Sequence, residues 1–180
     1  MAEPERIEEL GIYVSSLKIP QVPENWPELL AELRSESAKG WVQIVNAAAV
    51  AGLPHILFSV FNAVSAFRQG YNKLAQLEAE LLLVLSGTDR FQKALEVAGA
   101  KIGKPGVVII ISSNSDACKL AVERIGSRIT GIVDISDPTL EEAREVAKLQ
   151  GLDISAIESM GDGVKVILAA LVERGSLLYS

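Results

Sequence analysis

Apolar positions along this chain alternate between a helical and an extended period, and the changes of period mark out its elements. Residues 55–103 read as three consecutive helices, broken at 70–72 and at Ser86-Gly87. Leu57, Val60, Phe61, Val64 and Phe67 recur at helical spacing and predict one broad apolar face. The second segment, from about Leu74 to Leu85, ends in the unbroken apolar run 81–85. A helix with so little polar surface in its last turns belongs inside a core. The third, residues 90–98, follows Ser86-Gly87-Thr88-Asp89 and stops at Gly99. Asp89 can cap it by accepting a first-turn N–H, and Gly99 can close it in the left-handed conformation.

The flanks add strands. Leu10-Gly11-Ile12-Tyr13-Val14 alternates like a strand. Pro20, Pro23 and Pro27 then punctuate a loop, and Pro27 suits the first turn of a short helix through Arg34 with Leu29, Leu30 and Leu33 on its apolar face. Residues 35–40 are a polar connector. Residues 41–45 are β-branched and aromatic, a strand closed by Asn46. Pro54 is placed to open the central helices. Beyond them, the continuous run 106–111 predicts a strand buried on both faces, hence helices on both sides of the sheet. A short helix over 116–125 ending at Gly126, a strand over 129–135, and a helix from Asp137-Pro138 to about Leu149, capped by Asp137 and stopped by Gly151, follow. Residues 153–160 read as helix, Gly161-Asp162-Gly163 as a break, and 164–173 as a last apolar helix. The expected fold is α+β: a single domain over residues 1–180, with a mixed or mainly antiparallel sheet of about four to five strands and helices on both faces.

The chain of 180 residues is long enough to bury a core without cross-links. Its mean hydropathy is +0.29, yet no apolar run approaches the ~18 residues that a membrane span needs. The acidic start has no apolar signal core, so a cytoplasmic location is expected. One cysteine, Cys118, excludes an internal disulfide and a cysteine-rich metal site; its apolar neighbours place it in the core. The net charge of −6 argues against generalised nucleic-acid binding. That charge is uneven: residues 68–104 hold six basic and four acidic side chains, a balance of +2, against −8 for the remainder. Such a segment is either a small phosphate-contacting footprint or an ordinary scatter of solvated charges.

Catalytic patterns are scarce. His55 is the only histidine, and nothing in the sequence sets a nucleophile and an orienting acid beside it. At a helix start it reads as a partly buried hydrogen-bonding residue. Gly99-Ala100-Lys101-Ile102-Gly103-Lys104-Pro105 imitates a phosphate loop, but it has one residue too few between its glycines, Pro105 in place of the metal-binding hydroxyl, and a strand after it. Glu78 and Glu80, two apart on a helix, point to different faces and make a poor acid/base pair. The expectation is no enzyme, no cofactor and no metal.

The order of residues carries further. Gln43-Ile44-Val45-Asn46-Ala47, His55, Ala63, Ala66-Phe67, Gly70, Asn72 and Ala75 are followed by Glu80, the apolar run to Leu85, Ser86-Gly87, Ala94-Leu95 and Gly99. This series resembles the kinase-binding subunit of the KEOPS complex, the family of the PRPK-binding protein (TPRKB), in its archaeal-like form. The resemblance covers about residues 43–111, and residues 166–177 are similar to the family's closing helix. Thr88, Asp89 and Arg90 follow the Ser-Gly pair where the family often has Arg and Gln, and residues 15–40 are longer than its usual connection. The resemblance implies a non-catalytic subunit in the synthesis of threonylcarbamoyladenosine on tRNA. Such a subunit binds and stimulates the kinase-like ATPase subunit, helps to recruit tRNA through its 3′ CCA end, meets the other KEOPS subunits indirectly, and needs no membrane.

Single-stranded RNA is held by phosphate-neutralising side chains and by surfaces on which bases stack. Candidates for tRNA contact are therefore Arg68, Lys73, Arg90, Lys93, Lys101 and Lys104, with His55, Asn72, Ser86 and Gly87 either lining the same site or serving as caps and turns. Phe67 and Phe91 read as core residues, and Tyr71 stays open between core and stacking surface. The kinase-binding face should be an exposed apolar patch. The competing reading is a small-molecule-binding domain or enzyme that uses His55 in a cleft.

Overall fold

A computed structural model describes residues 3–36, 40–161 and 163–180. The middle of the expected connector 35–40 and the Asp162 of the expected break lie outside them. The chain forms two compact units: residues 1–47 with 100–135, and residues 48–99 with 136–180.

The first unit is organised by the apolar run, which forms β4 (Gly106–Ser112), buried at every position. An antiparallel partner lies along each edge: β2 (Ile12–Ile19), in register from Tyr13 opposite Ser112 to Ile19 opposite Gly106, and β3 (Trp41–Asn46), from Trp41 opposite Ile111 to Asn46 opposite Gly106. The far edge of β2 is shared. The short strand β1 (Glu5–Ile7) pairs with residues 12–14 through a tight 3-10 turn, and β5 (Val133–Asp134) pairs with Leu17 and Lys18. The sheet is open, antiparallel and five-stranded, in the order β1-β2-β4-β3 with β5 beside β2.

Two helices cover one face of this sheet. α1 (Trp26–Glu36) contributes Leu29, Leu30 and Leu33, and α5 (Ser115–Arg128) contributes Cys118, Ala121, Val122 and Ile125, against Leu17, Ile19, Val42, Ile44, Val108 and Ile110. Val107, Ile109 and Ile111 point the other way and are equally buried, as their unbroken apolar run requires. Arg34 reaches from α1 to the edge strand and gives Val42 O two hydrogen bonds, at 3.1 and 2.9 Å.

The second unit is helical. α2 (Gly52–Gln69), α4 (Phe91–Ala98) and α8 (Val164–Ser176) pack around α3 (Leu77–Ser86), of which all but Glu78 and Ala79 are buried. α6 (Leu140–Leu149) and α7 (Ile154–Ser159) pack on α8 around a small cluster of Ala51, Ala143, Val146, Ala147, Ile167 and Leu171. The α+β class and the antiparallel sheet read from the sequence are present.

Several local expectations are corrected. The first long strand begins at Ile12 and runs to Ile19, beyond the predicted Val14. α5 continues through Gly126 to Arg128, and its cap is Asn114, whose side chain accepts Asp116 N–H. The expected strand 129–135 shrinks to two residues because Ile129 and Ile132 turn inward onto the core. α6 is capped by Thr139, not Asp137: Thr139 Oγ1 accepts Glu142 N–H while the Glu142 carboxylate accepts Thr139 N–H, a reciprocal box that satisfies two first-turn donors. No side chain caps α4, where Asp89 was expected to. Gly99 is extended (φ −62°, ψ 143°), and glycine is required there because a Cβ would lie 2.4 Å from Leu95 O. On α2 the expected Val60 and Val64 are buried, together with Ile56, Ser59, Ala63 and Ala66, whereas Leu57, Phe61 and Phe67 are only half-buried. Ala63 and Ala66 leave room for the neighbouring α3 and α8 to pack closely on α2, and the two rings, Phe61 and Phe67, stand at its margins.

Candidate functional site

Among the described residues the second unit holds one fully buried carboxylate. Glu80, 0 % exposed, lies one turn after Leu77 and one before Val84, on a face that is otherwise aliphatic. Every hydrogen-bonding neighbour is a donor. Lys73 N–H contacts both carboxylate oxygens at 3.1 Å, Leu74 N–H donates at 2.8 Å, and the Tyr179 hydroxyl donates at 2.7 Å. Burial, then the hydrogen bond to Glu80, push the Tyr179 phenol far above the ordinary tyrosine range. The Tyr179 ring also packs at 5.4 Å from the ring of Tyr71. Glu80 thus ties the loop after α2 to the last turn of the chain, residues Leu177–Tyr179. Its chemistry is that of an anchor, with no acid partner beside it.

Ser86 and Gly87 end α3. Ser86 is buried, and its hydroxyl donates back to Leu82 O at 2.6 Å. Gly87 is left-handed (φ +63°), its N–H returns to the α3 carbonyls, and a Cβ there would stand 2.6 Å from both Arg174 Cγ and Gln150 Oε1. Those two side chains finish the helix: Gln150 Nε2 donates to Leu85 O and Arg174 Nε to Gly87 O. Asn72 likewise makes a turn, donating from Nδ2 to Leu74 O at 2.9 Å.

His55 is 1 % exposed in the first turns of α2, more deeply buried than the sequence suggested. Its Nδ1 accepts Ala51 N–H at 3.2 Å, and burial lowers its pKa to about 4. A neutral imidazole with one nitrogen engaged by the backbone is a helix-start cap.

The cations all reach solvent, but they divide between the units. Arg68, Lys73, Arg90 and Lys93 belong to the second unit, as do His55, Asn72, Ser86 and Gly87; Lys101 and Lys104 belong to the first. Lys93 pairs with Glu96 at 3.3 Å. Phe91, expected in the core, is exposed at the start of α4, between Arg90 and Lys93, and Tyr71 is exposed beside Lys73. Lys101 and Lys104 stand at the ends of a tight turn that carries exposed Ile102. Three backbone hydrogen bonds fix this turn: Lys104 N–H to Lys101 O, Gly103 N–H to Val22 O, and Val22 N–H to Lys104 O. Two N–H groups that a phosphate loop would offer, those of Gly103 and Lys104, are therefore already engaged.

An apolar surface also emerges in the second unit. Phe58 is 51 % exposed, one turn before Asn62 on the same side of α2. Asn62 Nδ2 donates to Ser176 Oγ at 3.1 Å, and the next residue, Leu177, is 59 % exposed. Phe58 falls outside the apolar face read for α2, and Leu177 reads only as the end of a closing helix, so the sequence singles out neither as exposed. Sequence reasoning missed Glu80 because the carboxylate was weighed only as a catalyst. The available signal was its place on an aliphatic face, where a charge requires donors.

Among the described residues no helix is long and apolar enough to cross a membrane, and no cluster of His, Cys, Asp and Glu has metal-binding geometry. No curated protein matches the chain. A family model described as "Kinase binding protein CGI-121" matches residues 21–163, most of its length. The chain belongs to the kinase binding protein CGI-121 family.

Proposed function

We propose that this chain is a cytoplasmic, non-catalytic subunit of the KEOPS complex, in which threonylcarbamoyladenosine is made on tRNA. It binds and stimulates the kinase-like ATPase subunit and helps to recruit tRNA through the 3′ CCA end. The observation that carries the reading is the family match over residues 21–163, whose description is kinase binding. The surface around Phe58 and Leu177 supports it: two large apolar side chains in solvent beside a polar Asn62–Ser176 contact have the composition of an interface centre with a hydrogen-bonding margin. The kinase is assigned to that surface.

The tRNA part rests on exposed Arg68, Lys73, Arg90, Lys93, Lys101 and Lys104, with exposed Phe91 and Tyr71 available for stacking. His55 and Ser86, both buried, act from within as supports. The competing reading, a catalytic His55, draws no support from an imidazole that faces its own helix start and is closed to solvent.

Capture of the cognate kinase-like subunit tests the reading. The wild-type chain should retain it and raise its ATPase rate, and Phe58→Asp or Leu177→Asp should weaken capture at least about tenfold, as loss of a central interface side chain does. A wild-type chain that neither retains the kinase nor changes its rate removes the adaptor role. A tRNA lacking its CCA end should bind more weakly than intact tRNA.

A further inference from the structure

Three donors from two distant stretches meet on one carboxylate inside the second unit. Lys73 N–H and Leu74 N–H come from the loop after α2, and the Tyr179 hydroxyl comes from the final turn. Both stretches present side chains to solvent: Tyr71 and Lys73 from the loop, Leu177 from the turn. We infer that Glu80 is a positioning residue: it latches the terminal turn that presents Leu177 to the loop that presents Lys73, so that a kinase seated on the turn also orders the loop. The inference rests on the assignment of the kinase to the Phe58–Leu177 surface.

The chemistry of the latch is specific. A carboxylate accepts at both oxygens, which suits a site where all neighbours donate. Glutamine keeps the shape but has one acceptor oxygen. With that oxygen toward Lys73 N–H and Leu74 N–H, its NH2 group faces the Tyr179 hydroxyl, which must turn from donor to acceptor, and the charge-assisted contacts are lost. The contact between the Tyr71 and Tyr179 rings, 5.4 Å between centroids, adds a second link between the same two stretches. Because Tyr179 and Lys73 share the Glu80 Oε1 atom, a displacement of the turn alters the acceptor that the loop uses. A partner that stabilises the docked turn therefore favours the docked loop, which is coupling through a shared contact.

Tyr179→Phe tests this with the fold kept, since it removes one hydroxyl from a half-buried ring; Glu80→Gln is the second variant. The readouts are the kinase dissociation constant and backbone amide exchange at residues 73 and 74. In the wild-type chain, added kinase should slow exchange at those two amides. In Tyr179→Phe their exchange should quicken about tenfold, the kinase should bind about five- to tenfold more weakly, and its protection of the loop should disappear. Unchanged exchange at 73 and 74 in the wild-type complex, or wild-type affinity in Tyr179→Phe, overturns the latch. If Phe58→Asp abolishes capture while Tyr179→Phe leaves it intact, the latch alone fails. If Phe58→Asp leaves capture intact, the docking surface fails and the latch with it.

Discussion

His55 Nδ1 accepts the backbone N–H of Ala51 at 3.2 Å, so the ring proton sits on Nε2, in the interior. Protonation would put a charge there. With its pKa lowered to about 4 by burial, the folded chain resists a proton that the unfolded chain takes up near 6.5. Stability is therefore full above about pH 6.5, falls as the pH drops toward 4, and loses about 3 kcal/mol over that window. Because His55 is the only histidine, the loss between pH 6.5 and 5 should vanish in His55→Asn. Urea denaturation at half-unit pH steps measures it. A flat wild-type profile in that window would contradict the assigned burial.

Removal of the Glu80 carboxylate should cost more than an ordinary surface change. Glu80→Ala leaves two backbone donors and a phenol facing an aliphatic wall, for an expected loss of about 3–4 kcal/mol. Equilibrium denaturation gives the value; a loss below about 1 kcal/mol would mean that water reaches those donors in the native state.

Cys118 should be inert in the native chain. It is buried in the sheet–helix core, its Sγ lies 3.6 Å from Tyr13 O, and burial raises its pKa to about 11. A thiol reagent at pH 8 should label it only in denaturant, since the thiolate is the reactive species. Rapid labelling of the folded chain would refute this.

Salt dependence tests the turn that carries Lys101 and Lys104. If both neutralise phosphates of a single-stranded segment, Lys101→Glu with Lys104→Glu should flatten the slope of log K against log salt by about 1.4, at about 0.7 per contact. The turn is fixed by backbone hydrogen bonds that neither substitution touches. A slope equal to that of the wild-type chain would exclude these lysines from tRNA contact.

What could be read in advance depended on whether one physical signal dominated. The strand over 106–111 was legible because burial on both faces selects an unbroken apolar run; its last residue, the buried Ser112, lay beyond that run. The centrality of α3 was legible for the same reason. Errors arose where two local signals competed. Asp137-Pro138 looks like a helix start, but Thr139 and Glu142 satisfy each other's backbone as well, and that pairing won. Gly126 looks like a stop, yet α5 runs past it because Val122 and Ile125 are held by the sheet. In α2, periodicity favoured the bulky residues, while the close approach of neighbouring helices favoured Ala63 and Ala66. The candidate cations were legible as residue types. Their division between two units was not, since that depends on where the chain crosses over, which no local pattern encodes.

That crossing has a consequence for synthesis. Each unit is built from two separate stretches of chain, so neither is complete until the ribosome has passed well beyond its first half. β2 and β3 emerge early but wait for β4, their common neighbour, while the whole of α2 to α4 is made in between. The first unit thus cannot be finished before part of the second has been made, and nascent chains halted before Gly106 should expose unpaired strand edges to chaperones.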